Sequence, residues 1–392
     1  AIGRQCCCAL NDPMRISGCI GHIMNQAMKE GHLFKQRQEV IREALEMLNR
    51  DLQVMAVSEQ DVSQVLYRLV LQKSIVVEEE RIYSIRQYEE ETQTASMIAR
   101  RLLEKPVLLS IEPKLEKAQK TLGITLSETQ KQEVRMVFAH PISIITGGPG
   151  TGKTTVLKVI LYIHQALCKS EVQLMAPTGR AARRMVESTG CENASTMHLA
   201  LGLLGDDTDF EPDFEYLSAG FLNVDEVSMV DMHLAYEFFR RVSRHARVLL
   251  VGDKNQLPSV GAGDVFRQLI ACGLIPVTVL DLVYRQGALS SIPYNAKLMQ
   301  ENKTNLSFGE DFQFIACKGA DEAAEIVRRI YLDEIAKNGM DQVQILTPYR
   351  KRSAAGVDEL NKSLEDFVNP PIAGKKELHI GSQVFRVGDK IL

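Results

Sequence analysis

One segment restricts what this chain can fold into more than any other. Gly147-Gly148-Pro149-Gly150-Thr151-Gly152-Lys153-Thr154 fits the pattern G-x-x-x-x-G-K-[ST]. An apolar run at 142–146 precedes it, and a helical stretch at 155–168 follows. A strand, a glycine-rich turn and a helix in that order let backbone amides converge on phosphate oxygens, with the partial positive charge of a helix N-terminus behind them. Gly148, Pro149, Gly150, Thr151, Gly152, Lys153, Thr154 and Thr155 are the expected nucleotide cradle. Within it Lys153 reaches the β- and γ-phosphates and Thr154 ligates Mg²⁺.

The residues around this motif continue the same architecture. Short apolar runs recur at 172–176, 221–224, 248–251 and 277–282, each ending in a turn and followed by a helical stretch. That alternation predicts an α/β fold, a parallel sheet covered by helices on both faces. A second unit of the same kind is expected from about 310, with strands at 312–316 and 343–346 and helices near 322–337 and 357–367. That unit is expected to be incomplete.

Residues 1 to about 125 read differently. Ile16, Ile20, Ile23 and Ala27 fall on one helical face that Gly31 stops, and two further helices are marked by Val40–Leu48 and Val62–Val70 spacing. Two β-rich runs, 74–77 and 81–85, flank Glu78-Glu79-Glu80. Three helices and a hairpin resemble a winged helix, and the acidic hairpin tip disfavours phosphate contact. A further helix at about 88–103 leads to Pro106 and a linker near Pro113. The domain boundaries expected are 1–122 for a mostly helical, winged-helix-like domain, 123–292 for the first α/β domain with a short insertion at about 202–220, and 293–392 for an incomplete second one.

Two more candidate segments follow predicted strands. Asp225 and Glu226 end the run at 221–224: Asp225 is placed to hold Mg²⁺ and Glu226 to polarise an attacking water. Asn223, a polar residue where an aliphatic is expected, stands out in that strand. Gln256, after the next strand, is placed to sense the γ-phosphate.

Composition narrows the remaining classes. The net charge is 46 − 50 = −4, which argues against a wholly basic nucleic-acid coat but leaves room for a local basic groove. No pair among the eight cysteines has Cys-x-x-Cys spacing, so a zinc site is not expected, and scattered thiols fit a reducing, cytoplasmic home. No apolar stretch is long enough for a transmembrane helix, so no membrane partner is expected. The chain starts without methionine and ends in what reads as a strand, so it reads as a piece cut at both ends.

The motif series carries a family resemblance. Gly-Gly-Pro-Gly-Thr-Gly-Lys-Thr, then Ala176-Pro177-Thr178-Gly179-Arg180-Ala181-Ala182, then Asp225-Glu226-Val227-Ser228-Met229-Val230-Asp231, then Gly252-Asp253 with Gln256-Leu257-Pro258-Ser259-Val260-Gly261-Ala262-Gly263, then Tyr284-Arg285-Gln286 resembles a RecD-type superfamily-one DNA helicase. It covers about residues 120 to 392. Arg15-Ile16 and Glu30-Gly31-His32 are similar to the stand-alone RecD-like proteins, as opposed to the RecD subunit of a RecBCD nuclease.

The resemblance implies two RecA-like motor domains that close on ATP, translocation on single-stranded DNA from 5′ to 3′, and a place in recombination or repair. It implies that Gln130, in Leu126-Ser127-Glu128-Thr129-Gln130, hydrogen-bonds adenine, and that Arg285 approaches the γ-phosphate on closure. Thr178, Arg180, Arg184 and His198 are the implied DNA contacts of the first domain, and Tyr349 and Arg350 those of the second. A monomer is expected, with RecBC-like protein partners left open. The family's strand-splitting hairpin has no clear counterpart, since the stretch from Asp206 to Glu215 is short and acidic. Two other readings remain compatible with the residues: a P-loop ATPase acting on a non-DNA substrate, and a nucleotide- and DNA-binding fragment with little turnover.

Overall fold

The computed structural model describes residues 9–50, 52, 55–104, 110–168, 170–203, 215–280, 290–372, 374–380 and 383–389. They divide into two compact units, 1–289 and 290–392.

The first unit opens with α1 (Pro13–Lys29), capped by Asp12, whose carboxylate accepts from the Met14 amide at 2.7 Å. Its predicted apolar face is the one buried: Ile16, Ile20, Ile23 and Ala27 are at most 2% exposed. Then come β1 (Phe34–Gln36), α2 (Arg37–Asn49), α3 (Glu59–Leu71), β2 (Ile75–Glu78) and β3 (Arg81–Ser84). A Ser58–Asp61 capping box starts α3. The strands form an antiparallel sheet of order β1-β3-β2. The expected helices and hairpin are therefore present in winged-helix order. The short strand β1 is an addition, because three residues carry no readable alternation. α4 (Ile85–Leu102) and α5 (Glu112–Leu122) follow. The linker expected near Pro113 is instead the first turn of α5, where proline's absent N–H leaves nothing unpaired.

After α6 (Glu128–Ala139), six strands form one parallel sheet: β4 (Ile142–Gly147), β5 (Val172–Ala176), β6 (Ala194–Thr196), β7 (Phe221–Val224), β8 (Arg247–Gly252) and β9 (Val277–Leu280). Their order is β6-β5-β7-β8-β4-β9. Five of the six were legible as apolar runs; β6 is again too short. The connecting helices are α7 (Lys153–Leu167), α8 (Gly179–Thr189), α9 (Met197–Ala200), α10 (Met232–Arg241) and α11 (Val265–Ala271). Ile145, Leu249 and Val251 pack with Val156 and Ile160 on one face of the sheet. Ile144, Leu222 and Leu250 pack with Phe238 and Phe266 on the other. Apolar side chains on both faces are what a doubly covered parallel sheet demands. This is the P-loop, RecA-like architecture expected.

The N-terminal region joins the sheet domain through α4, which lies along α10. Arg101 of α4 is buried and donates to the carbonyls of Ala246, Val242 and Ser243, closing the end of α10.

The second unit contains α12 (Ser291–Gln300), α13 (Ala320–Asn338), α14 (Val357–Val368) and an antiparallel hairpin, β10 (Glu377–Ile380) with β11 (Gln383–Arg386). Both helices expected at 322–337 and 357–367 form. The strands expected at 312–316 and 343–346 do not: no ladder runs beside either among the described residues. Phe314 is 75% and Leu346 87% exposed, so these apolar runs lack the neighbours that turn such a run into a sheet strand.

Candidate nucleotide and nucleic-acid site

The sheet determines where the predicted residues meet. The P-loop leaves the carboxyl end of β4, Asp225 and Glu226 leave that of β7, and Gln256 leaves that of β8. β4 and β7 both border β8, so three functional segments emerge side by side. Ligands of open parallel sheets bind at this edge.

The loop geometry explains its glycines. Gly150 and Gly152 have φ of +79° and +92°, a region that L side chains rarely adopt. A Cβ on Gly147 would lie 2.7 Å from the Leu280 carbonyl oxygen and 2.8 Å from Thr151 Oγ1, so the first motif position has no room for a side chain. Thr151 Oγ1 donates to the Gly148 carbonyl at 2.9 Å, bracing the loop. Lys153 Nζ folds back to donate to the carbonyls of Gly147 and Gly148, at 2.5 and 2.9 Å. Its ammonium thus already stands inside the cradle.

Opposite the loop, the Asp225 amide donates to the Met175 carbonyl at 2.8 Å, locking the end of β7 to β5. Glu226 donates its amide to Asp225 Oδ1 at 2.9 Å and sits in the left-handed region, φ +54°. A non-glycine residue held there is strained, as happens at functional turns. Burial pushes the Asp225 carboxyl up to about 6, and the adjacent Glu226 charge adds to the shift.

Gln256 is exposed and its Oε1 accepts from Ser228 Oγ at 3.5 Å, so it lies beside the turn that follows Glu226. Arg267 holds this loop from α11: Nε donates to the Lys254 carbonyl at 2.9 Å and Nη2 to that of Gln256 at 3.1 Å. Sequence reasoning missed Arg267, which lies outside the motifs. Its only sequence signal is a cation one turn into a helix that follows a glycine-rich loop.

Gln130 is placed against the P-loop, but not openly. It is 4% exposed; its Oε1 accepts from the Ser127 amide at 3.0 Å and its Nε2 donates to the Thr151 carbonyl at 3.4 Å. Its amide braces the loop and closes the α6 capping box.

The candidate DNA residues of the first unit lie at the neighbouring sheet edge. Thr178 caps α8, its Oγ1 accepting from the Ala181 amide at 3.3 Å, while Arg180 and Arg184 are exposed on that helix. His198 is exposed on α9, which starts directly after β6. Because Ala176 and Thr196 are register partners, these two segments emerge together. Tyr349 and Arg350 belong to the second unit: Tyr349 is 61% exposed, and Arg350 Nε lies 3.9 Å from Asp358 Oδ1. Arg285 and most of the acidic stretch 206–215 lie outside the described residues. Among the described residues no cluster of three His, Cys, Asp or Glu could hold a metal by itself, and no helix is long and apolar enough to cross a membrane.

Comparison with known proteins agrees with the motif series. The family model described as an AAA domain matches residues 130–262. An ATP-dependent RecD2 DNA helicase from Deinococcus radiodurans is 36% identical over 267 residues, covering 68% of this chain and 36% of the relative. The RecBCD enzyme subunit RecD of Haemophilus influenzae is 36% identical over 178 residues, covering 39% of this chain and 27% of the subunit. A crystal structure of Pif1 helicase from Candida albicans aligns over 56% of each chain, at 19% identity and a TM-score of 0.37. The chain spans about a third of the length of these two curated relatives. Four of the five motifs lie among the described residues and meet at the carboxyl ends of one parallel sheet, and over 68% of its length the chain is RecD-like in sequence.

Proposed function

We propose that this chain is the nucleotide-binding motor region of an ATP-dependent DNA translocase and helicase. The observation that carries the reading is the convergence of Lys153, Asp225 with Glu226, and Gln256 at adjacent strand ends of one parallel sheet.

Lys153 exchanges its loop carbonyls for the β- and γ-phosphates, a small movement because its ammonium already lies in the cradle. The Thr154 hydroxyl and the Asp225 carboxylate are hard oxygen donors suited to Mg²⁺, and the Asp225–Glu226 pair carries negative charge that a divalent cation would offset. Bound there, Mg²⁺ would supply neutralisation of phosphate charge. Glu226 orients the attacking water, and Gln256, tied to the Ser228 turn, reports the γ-phosphate to that turn. Arg285 supplies the closing cation; such arginines are worth about 10³–10⁵ in rate.

Thr178, Arg180, Arg184 and His198 form the single-strand contact of this unit, and Tyr349 and Arg350 that of the second. Binding is expected to be mainly electrostatic, weakening with salt by roughly 0.7 log units per phosphate for each log unit of salt. Movement from 5′ to 3′, and a role in recombination or repair, complete the proposal.

The test is ATP hydrolysis by the chain with and without a single-stranded oligonucleotide, beside Lys153→Ala. Stimulation by the oligonucleotide that disappears in the variant supports a DNA-dependent motor. Hydrolysis indifferent to DNA would move the chain to a P-loop ATPase with another substrate.

A further inference from the structure

We propose that Glu133 is a positioning residue of the phosphate site, a buried acid whose charge competes with bound phosphate for Lys153. The inference rests on the nucleotide-site reading above and deepens it.

Glu133 lies one turn after Gln130, on the same face of α6. That face meets the P-loop, since Gln130 donates to the Thr151 carbonyl. Glu133 is 0% exposed, and neither carboxyl oxygen has a hydrogen-bond partner. A buried polar group left in this state is unfavourable and needs a reason. Helix stability does not supply one, because an apolar residue would pack there at less expense.

The surrounding charges single out one counterpart. On α6 itself, Lys131 pairs with Glu128, and Arg135 pairs with Glu112 of α5. On α7 the titratable groups are Lys153, Lys158, Tyr162 and His164, while β4 and β9 carry none. Of all these only Lys153 acts on Glu133. Burial pushes the Glu133 carboxyl up to about 8, with Lys153 drawing it the other way. Near neutral pH the group is therefore uncharged, and Lys153 is free to turn to phosphate.

The consequence is a linkage between nucleotide and proton. A bound phosphate withdraws the Lys153 charge from Glu133 and adds negative charge nearby, so the bound state holds the proton more tightly than the free state. Nucleotide binding then takes up a proton wherever free Glu133 is ionised, and affinity declines as pH rises through about 8. The nucleotide's own phosphate titrates in the opposite sense and at lower pH, so the two effects are separable.

The experiment measures ADP binding to the full 392-residue chain by calorimetry, in buffers of differing ionisation enthalpy, for the wild type, Glu133→Gln and Glu133→Asp. In the wild type, affinity should drop roughly three- to tenfold between about pH 7 and about pH 9, with net proton uptake near pH 8. Glu133→Gln should flatten that profile and abolish uptake, and Glu133→Asp should restore a pH dependence. Glu133→Met, an apolar replacement of similar length, guards against misfolding: it should melt higher than wild type and bind ADP without uptake. Matching pH profiles in wild type and Glu133→Gln, with both folded, would overturn the proposal. ADP failing to bind wild type at any pH would overturn the phosphate-site reading itself, and this inference with it.

Discussion

The amide of Gly263 donates to the carbonyl of Gly31 at 3.0 Å. Gly31 follows the first helix of the N-terminal region, and Gly263 ends the loop that begins with Gln256, so one hydrogen bond joins the winged-helix-like fold to the loop after β8. Ser259 reinforces the loop by donating to the carbonyls of Gly261 and Gly263, at 3.0 and 2.8 Å.

Gly263→Ala should loosen that junction. Gly263 has φ +99°, and a Cβ there would lie 3.0 Å from Met232 Cβ and 3.4 Å from a Leu33 methyl. The substitution is expected to lower stability by about 1–3 kcal/mol, the ordinary range for strain at such a φ. Urea denaturation measures that loss. Hydrogen exchange should show faster opening at the 31–33 turn than in wild type; unchanged exchange there would mean the junction is incidental.

Lys153→Ala should remove nucleotide binding while leaving the fold nearly as stable. The only hydrogen bonds described for the Lys153 ammonium run to the Gly147 and Gly148 carbonyls, and it is only half-buried. A melting temperature close to wild type, together with loss of ATP binding by filtration or calorimetry, is the expected pair of results. A large fall in melting temperature would instead show the lysine to be a structural member of the loop.

Particular residues show why some of this was legible in sequence and some was not. Ile16, Ile20, Ile23 and Ala27 repeat at helical spacing and are all buried, and the P-loop declares itself because local geometry demands glycine at 150 and 152. β1 and β6 escape because three residues hold no period. The strands expected at 312–316 and 343–346 looked like their neighbours in composition, but strand formation depends on partners elsewhere in the chain. Glu133 and Arg267 escape for another reason: burial without a partner and side chain to carbonyl bonds are tertiary facts with no short motif. The bond from Gln130 to the Thr151 carbonyl is tertiary in the same way, whereas its bond to Ser127 belongs to a local capping box.

Asn223 reads as odd in the sequence, and in the structure it is fully buried, with Nδ2 donating weakly to Met185 Sδ at 3.7 Å and Oδ1 unpartnered. Asn223→Leu should therefore stabilise the fold, by about 1–3 kcal/mol, the usual penalty of a buried unsatisfied polar group. The gain is measured by urea denaturation. Lower stability would mean that the site cannot take the extra apolar bulk, or that the amide has a partner in solution.

The α4–α10 seam should be sensitive to pH. His233 Nδ1 and Glu90 Oε1 are 2.8 Å apart, and Arg86 Nε lies 2.8 Å from the same oxygen. The hydrogen bond to Glu90 raises the His233 pKa, against the opposing effect of burial. Burial disfavours a charged Glu90, but hydrogen bonds from His233 and Arg86 outweigh it and hold the carboxyl below its usual range. The raised histidine contributes stability that is complete below its unfolded value, about 6.5, and fades as pH rises through its folded value. The lowered carboxyl contributes above its unfolded value, about 4.3, and fades as pH falls through its folded value. Both contributions overlap between roughly pH 4.5 and pH 6.5. His233→Ala should thus depress the melting temperature most within that window and much less at pH values where the ring is neutral in both proteins. Because His233 is nearly half exposed, solvent screening keeps the effect small. A thermal-melt series across pH gives the answer, and a constant difference between the two proteins would remove the ion pair from the account of this seam.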